Sequence, residues 1–232
     1  MAGDEGGEDD TLAFLSGNIA RLGAALPELA EKLRAAAAAR GQPVPPTLPS
    51  VTADVMAQRF AGFAEFLRRF GRADDKPRRP TSLPPLLREV VALLRPELSL
   101  RARVVEKYTS SPLVAATERQ LAHLVANLLV NAAQAIADGD ADGNRIEVRT
   151  GSDERGWAVI DVEDSGAGVP DELRDKIFEP YFSTKRGRGS GLGLTIAREI
   201  VDELGGELSL TSAPRRGAHF VIELPPAPGR AR

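Results

Sequence analysis

Cysteine is absent from all 232 residues, which removes disulfides, thiolate metal sites and a cysteine nucleophile together and fits a reducing compartment. Histidine is nearly absent as well: His123 and His219 are the only two, too few for a zinc site. No apolar run approaches the ~20 residues needed to span a bilayer. Neither sign of charge dominates, because 33 acids against 30 bases leave a net charge of −3. A global field that would draw the chain onto nucleic acid or acidic lipid is therefore missing. The acidic start, with Asp4, Glu5 and Glu8 to Asp10, is the opposite of a signal peptide. These absences describe a soluble, cytoplasmic protein without nucleic-acid binding. What is present is globular in proportion, with 42% hydrophobic and 27% charged residues, enough for one large domain or a domain with an appendage.

Residues 1–10 are glycine and acid with almost nothing to bury, so they read as a solvated tail. Helical spacing begins at Leu12 and continues through Leu15, Ile19, Leu22, Leu26, Leu29 and Leu33, one apolar stripe along a helix that Pro27 should bend. Four prolines between Gly41 and Pro49 stop it, and Met56, Phe60, Phe63, Leu67 and Phe70 resume the spacing. Residues 11–76 thus read as an antiparallel helical hairpin. Its two narrow seams cannot be satisfied within one hairpin, and a homodimer through residues 11–72, forming a four-helix bundle, covers both. Gly71 to Pro80 reads as a hinge, with a domain boundary near residue 77. Beyond it the pattern mixes types: helices at 83–95, 118–137 and 193–204, and strands at 104–108, 145–150, 157–163, 207–212 and 218–224. That is an α+β domain over 77–228 with a mostly antiparallel sheet covered on one face by helices, followed by a short tail at 229–232.

Three stretches carry chemistry. In the apolar helix from Leu124 to Ile136, Asn127 and Asn131 stand four residues apart and share a face. Amides crowded by Leu128, Leu129, Val130 and Ala132 need partners, and a ligand is a credible one, although asparagine in a helix is common. Directly after an apolar strand comes Val162-Glu-Asp-Ser-Gly-Ala-Gly-Val-Pro170. This could be a plain glycine turn. In the functional reading, Asp164 ends the strand with its carboxylate aimed into a pocket, suited to accept from an exocyclic amine such as that of adenine. Gly166 and Gly168 would let the backbone pass close to a planar ligand. Then Phe178-Glu-Pro-Tyr-Phe182 leads into Ser183-Thr-Lys185-Arg-Gly-Arg-Gly189-Ser-Gly191-Leu192-Gly193. A glycine-rich loop alone is a weak signal, but this one has basic residues before it and a helix after it. Backbone N–H groups at Gly191 and Gly193, with Lys185 nearby, suit phosphates. The ending is not that of a P-loop.

Taken in order, Asn127-Leu-Leu-Val-Asn131, Asp164-Ser-Gly-Ala-Gly168, Phe178-Glu-Pro-Tyr-Phe182 and Gly189-Ser-Gly-Leu-Gly193 resemble the N, G1, F and G2 boxes of the sensor histidine kinase catalytic domain. Gly217-Ala-His-Phe-Val-Ile-Glu-Leu-Pro225 resembles its closing segment, so the likeness runs from about residue 81 to 226. The resemblance implies a Bergerat-type ATP-binding α/β sandwich with a mobile lid, here expected at residues 183–190. It implies ATP with Mg²⁺ as ligands. Asp164 would bind the adenine amine, Gly166 and Gly168 would shape the base pocket, and Asn127 and Asn131 would hold the metal and phosphates. Lys185 and the segment Gly189, Gly191, Leu192 and Gly193 would steady the distal phosphates, with Arg186 or Arg188 sharing a role that many members give to a lysine at the place of Gln134. Related ATPases and serine kinases usually carry a glutamate where this chain has Asn127. An amide cannot act as a general base. Neutral imidazole needs none, so the asparagine pair favours phosphoryl transfer to histidine.

The hairpin resembles the dimerisation and phosphotransfer bundle of the same family, whose first helix begins with an acceptor histidine. Here Gly6, Gly7 and Glu8 stand at that place, and no histidine precedes His123. Three readings stay open: a kinase core cut or altered at its acceptor, a kinase that phosphorylates a histidine on another protein, and a regulatory module that uses ATP and the dimer bundle without transfer; a response regulator or phosphoacceptor protein is the expected partner. His123, one turn before Asn127, and His219, in the last strand, read as packing residues.

Overall fold

A computed structural model describes residues 77–137, 139–182 and 192–228. The acidic tail, the hairpin at 11–76, the segment 183–191 with Lys185, Gly189 and Gly191, and the tail at 229–232 lie outside the described residues. In chain order the elements are β1 (Arg79–Thr81), α1 (Leu83–Leu98), β2 (Arg103–Tyr108), β3 (Val114–Ala116), α2 (Glu118–Ala135), β4 (Arg145–Ser152) and β5 (Ala158–Asp164). Two short 3₁₀ turns follow at Asp171–Leu173 and Lys176–Phe178, then α3 (Gly193–Glu203), β6 (Glu207–Ser212) and β7 (Ala218–Leu224). Five strands form a mixed sheet in the order β2-β4-β5-β7-β6; β2 runs parallel to β4 and the other three pairings are antiparallel. β1 and β3 pair separately as a small antiparallel ribbon.

Period-two alternation decides which face of the sheet is buried. Ile146 and Val148 on β4, Ala158, Ile160 and Val162 on β5, and Ala218, Phe220, Ile222 and Leu224 on β7 all face the helices and are buried. Against them α1 lays Leu83, Leu87, Val90, Val91, Leu94 and Leu98, a three-and-four spacing that draws one stripe. α2 is the central helix, touching both α1 and α3, and it is buried on more than one side: Leu121, Leu124, Val125, Leu128 and Leu129 are all fully enclosed. It starts on a reciprocal capping box in which the Thr117 hydroxyl accepts from the Gln120 amide at 3.1 Å and the Gln120 side chain accepts from the Thr117 amide at 3.2 Å.

The helix expected at 83–95 runs on to Leu98 with Pro96 inside it. Pro96 forfeits one intrahelical bond, yet it sits in the last turn, where Ser99 still donates to the Arg95 carbonyl at 2.9 Å and Leu98 is fully buried. Packing of Leu98 outweighs the missing donor. The helix expected at 118–137 stops at Ala135, and Ile136 turns extended while remaining 2% exposed. That early stop matters, because the freed Ala135 carbonyl is used by the loop after β5.

Candidate nucleotide site

Asp164 is the last residue of β5 and follows Ala158, Ile160 and Val162 on the helix-facing side of the sheet. Its carboxylate therefore emerges under the helices rather than into solvent, and it is 4% exposed. One oxygen, Oδ1, accepts from the Gly166 amide at 2.7 Å, which fixes the carboxylate plane relative to the turn. Ser165 points the other way, accepting from the Arg145 amide at 2.9 Å and donating to Asn144 Oδ1 at 3.0 Å, so the strand end is clipped to β4.

The glycines after Asp164 have a requirement that lies inside the protein. A Cβ on Gly166 would stand 2.6 Å from the Ala135 carbonyl oxygen, and one on Gly168, which has φ +71°, would stand 2.0 Å from the Ala213 carbonyl oxygen. The loop is pressed between the end of α2 and the turn joining β6 to β7. Ala167 donates to Ala135 at 3.1 Å, Gly217 donates to Gly166 at 3.0 Å, and Arg215 donates to Ala167 at 2.7 Å. Ser212, 6% exposed at the end of β6, accepts from the Val169 amide at 2.8 Å and donates to the Gly217 carbonyl at 2.6 Å. The sequence alone gives Ser212 no role and Gly217 only a place in the segment that closes the domain. A serine at the inward-facing end of a strand, five residues before a glycine, was the available signal.

On α2, His123, Asn127 and Asn131 lie half-buried at successive four-residue steps, each flanked by buried apolar residues, so they form one polar stripe. Asn127 lies against the start of α3: a Cβ placed on Gly193 would be 3.5 Å from its Oδ1. Among the described residues the first turn of α3 has no side-chain cap and no acidic residue, so the positive end of its dipole meets no carboxylate of its own turn. Phe178 anchors the segment before the undescribed stretch. It is buried edge-on to Phe220 at 6.5 Å, lies under the Arg198 guanidinium at 4.1 Å, and its carbonyl accepts from Thr195 at 3.1 Å, all ties to α3 or β7.

The structure thus brings Asn127 and Gly193 together, carries Asn131 on the same helix stripe, sets Gly166 beside Asp164 and against the end of α2, and sets Gly168 against the β6–β7 turn; Leu192 stands at the N-cap position of α3. Lys185, Gly189 and Gly191 fall outside the described residues. Among the described residues no group of three or more histidines, aspartates and glutamates could hold a metal. A divalent ion at Asn127 and Asn131 would meet neutral amide oxygens, a set that fits magnesium only when phosphates and water supply the remaining oxygens. His219 is engaged elsewhere, with Nε2 2.7 Å from Asp161 on the outer face of the sheet. A cavity of about 560 Å³ lined by Arg79, Ser82, Leu86, Glu89, Thr117 and Glu118 lies at the opposite end of α2 from Ala135, a helix length of about 27 Å away, and has no part in this site. No helix of the described residues is long and apolar enough to cross a membrane.

Comparison with known proteins agrees with this geometry. A family model described as "Histidine kinase-, DNA gyrase B-, and HSP90-like ATPase" matches residues 116–228. The sensory histidine kinase/phosphatase NtrB of Salmonella typhimurium is 36% identical over 146 residues, 59% of this chain and 40% of that protein. The C4-dicarboxylate transport sensor protein DctB of Rhizobium meliloti is 32% identical over 171 residues, 73% of this chain and 27% of that protein. Among solved structures, a nucleotide-free catalytic domain of histidine kinase ThkA superposes with a TM-score of 0.53 at 30% identity, covering 62% of this chain and 92% of that one. The chain spans less than half the length of these curated relatives.

Proposed function

The chain belongs to the histidine kinase-, DNA gyrase B- and HSP90-like ATPase family, on its sensor histidine kinase side, and from that premise we propose that it binds ATP with Mg²⁺ and transfers the γ-phosphoryl group to a histidine of a partner protein in a two-component system. The observation that carries this reading is Asp164: a 4% exposed carboxylate at a strand end, one oxygen engaged by Gly166 and the helix-facing side of the sheet around it. Asp164 accepts a hydrogen bond from the adenine amine, a charge-assisted contact that guanine, with a carbonyl at that position, cannot supply. The first turn of α3 and Lys185 receive the distal phosphates. Asn127 and Asn131 hold the magnesium ion, whose chemistry when bound is to neutralise phosphate charge.

In the transfer itself, an imidazole nitrogen of the acceptor attacks the γ-phosphorus, an N–P bond forms, the bond from that phosphorus to the bridging oxygen breaks, and ADP departs. No side chain of the N box is required to take a proton from the nucleophile, which is consistent with an amide at position 127. The domain division follows the same reading: residues 77–228 bind ATP, and residues 11–76 supply the dimer. In this reading the acceptor histidine belongs to a partner, because His219 is paired with Asp161 at 2.7 Å and His123 lies on the helix stripe of Asn127 and Asn131; a response regulator or phosphoacceptor protein is the expected partner. The test is incubation with γ-labelled ATP and Mg²⁺, alone and with candidate partner proteins. Acid-labile, alkali-stable label on a partner is expected. ATP binding without transfer to any partner would favour a regulatory module that uses nucleotide as a signal.

A further inference from the structure

The turn between β6 and β7 is fifty residues from Asp164 in sequence but forms the floor under the loop that follows it. Three hydrogen bonds join the two, Gly217 to Gly166, Arg215 to Ala167 and the Val169 amide to the Ser212 hydroxyl at 2.8 Å, and that hydroxyl also donates to the Gly217 carbonyl at 2.6 Å within the turn. Only the last two pass through a side chain. Ser212 is 6% exposed, and its single hydroxyl is used as acceptor and donor at once, so removing it breaks both bonds together. A Cβ on Gly217 would lie 1.8 Å from the Asp164 carbonyl oxygen, which means that the height of the turn sets the height of the Asp164 backbone with almost no slack. Resting on the adenine reading above, we propose that Ser212 is a positioning residue for base recognition: it locks the β6–β7 turn to the loop 165–169 and so holds the Asp164 carboxylate at the distance and tilt that the adenine amine requires.

The role differs from that of an ordinary buried serine in what it predicts about selectivity. Removal of the hydroxyl leaves the Val169 amide and the Gly217 carbonyl without their partner, and the loop relaxes away from the turn. Contacts to the phosphates, made from α2 and α3, are untouched. ATP and inosine triphosphate share their phosphates and sugar and differ only at the 6-position that faces Asp164 and the adjoining N1, so their affinity ratio reads the base contact apart from the phosphate contacts.

Nucleotide binding by the full chain is measured for Ser212→Ala, Ser212→Thr, Thr150→Ala and Asp164→Asn. Thr150 is a control of like kind: it is 4% exposed, its hydroxyl donates to the Thr109 carbonyl at 3.0 Å, and it pairs with Ile160, four residues back along β5 from Asp164. Ser212→Ala is expected to weaken ATP and ADP about tenfold and inosine triphosphate by less than about twofold. Ser212→Thr, which keeps the hydroxyl, should restore the ratio, and Thr150→Ala should leave it unchanged. An unchanged ratio in Ser212→Ala, with the ratio lost in Asp164→Asn, would overturn the proposal and leave the adenine reading standing. An ATP affinity indifferent to Asp164→Asn would overturn the adenine reading itself. Amide exchange covers a Ser212→Ala protein that fails to fold: in the unmodified chain the Val169 amide should resist exchange, and rapid exchange there contradicts the bond on which the proposal stands.

Discussion

At the scale of single residues, the tightest demands in this domain come from backbone meeting backbone. Gly217 has φ +74° and carries the least room of the described glycines, its would-be Cβ lying 1.8 Å from the Asp164 carbonyl oxygen. A side chain there meets both penalties, the left-handed conformation and a clash with an atom that cannot swing aside. Gly217→Ala is therefore expected to cost at least about 2 kcal/mol of stability, read as a lower urea midpoint with unchanged slope, and to weaken ATP in parallel. A neutral effect would mean that the β6–β7 turn is free to shift. This requirement was not legible in the sequence, because it joins positions 53 residues apart. Asp164 was legible, since a carboxylate at the end of an alternating strand, followed by two spaced glycines, announces its own position. Gly166 and Gly168 were found by the same pattern, but for a ligand's approach; the structure adds Ala135 and Ala213 as the atoms they must accommodate.

At the scale of elements, local periodicity was a sound guide wherever the element buries one face over several turns or strand pairs. β6 and β7 run over the residues that alternation predicts, 207–212 and 218–224. β1 and β3 are three residues each and too short to show any period, and the parallel pairing of β2 with β4 is non-local, so neither was readable. The outer face of the sheet carries a consequence that burial alone would not suggest. Glu147 is 1% exposed, covered by the side chains of Lys107 at 2.8 Å, Arg149 at 3.0 Å and Arg145 at 3.4 Å. The hydrogen bond from Lys107 holds its carboxyl below the ordinary value of 4.5, the charges of Lys107, Arg149 and Arg145 add to that, and burial opposes them. Since the folded value is the lower one, Glu147 contributes stability above its unfolded value, and that contribution is lost as pH falls through the folded value. Glu147→Gln should then melt at a lower temperature than the unmodified protein at pH 7, with the gap closing as pH drops below 4.5. A gap independent of pH would show that shape, not charge, is what position 147 supplies.

At the scale of the whole molecule, the expected assembly follows from the apolar stripes of residues 11–72, which lie outside the described residues. Two narrow seams in one hairpin predict a homodimer in light scattering at micromolar concentration, converted to a monomer by Leu22→Glu, because a charge in mid-seam meets an apolar wall or its own copy. A monomeric unmodified chain would contradict the bundle, and residues 77–228 alone should be monomeric and still bind nucleotide. The proposed choice of adenine depends on Asp164 acting as an acceptor. Calorimetry of ATP and Mg²⁺ binding to the unmodified chain and to Asp164→Asn tests that most directly. A charge-assisted bond of about 1.5–3 kcal/mol predicts a loss of roughly tenfold to a hundredfold in affinity for the variant; equal affinities for the two proteins would contradict it.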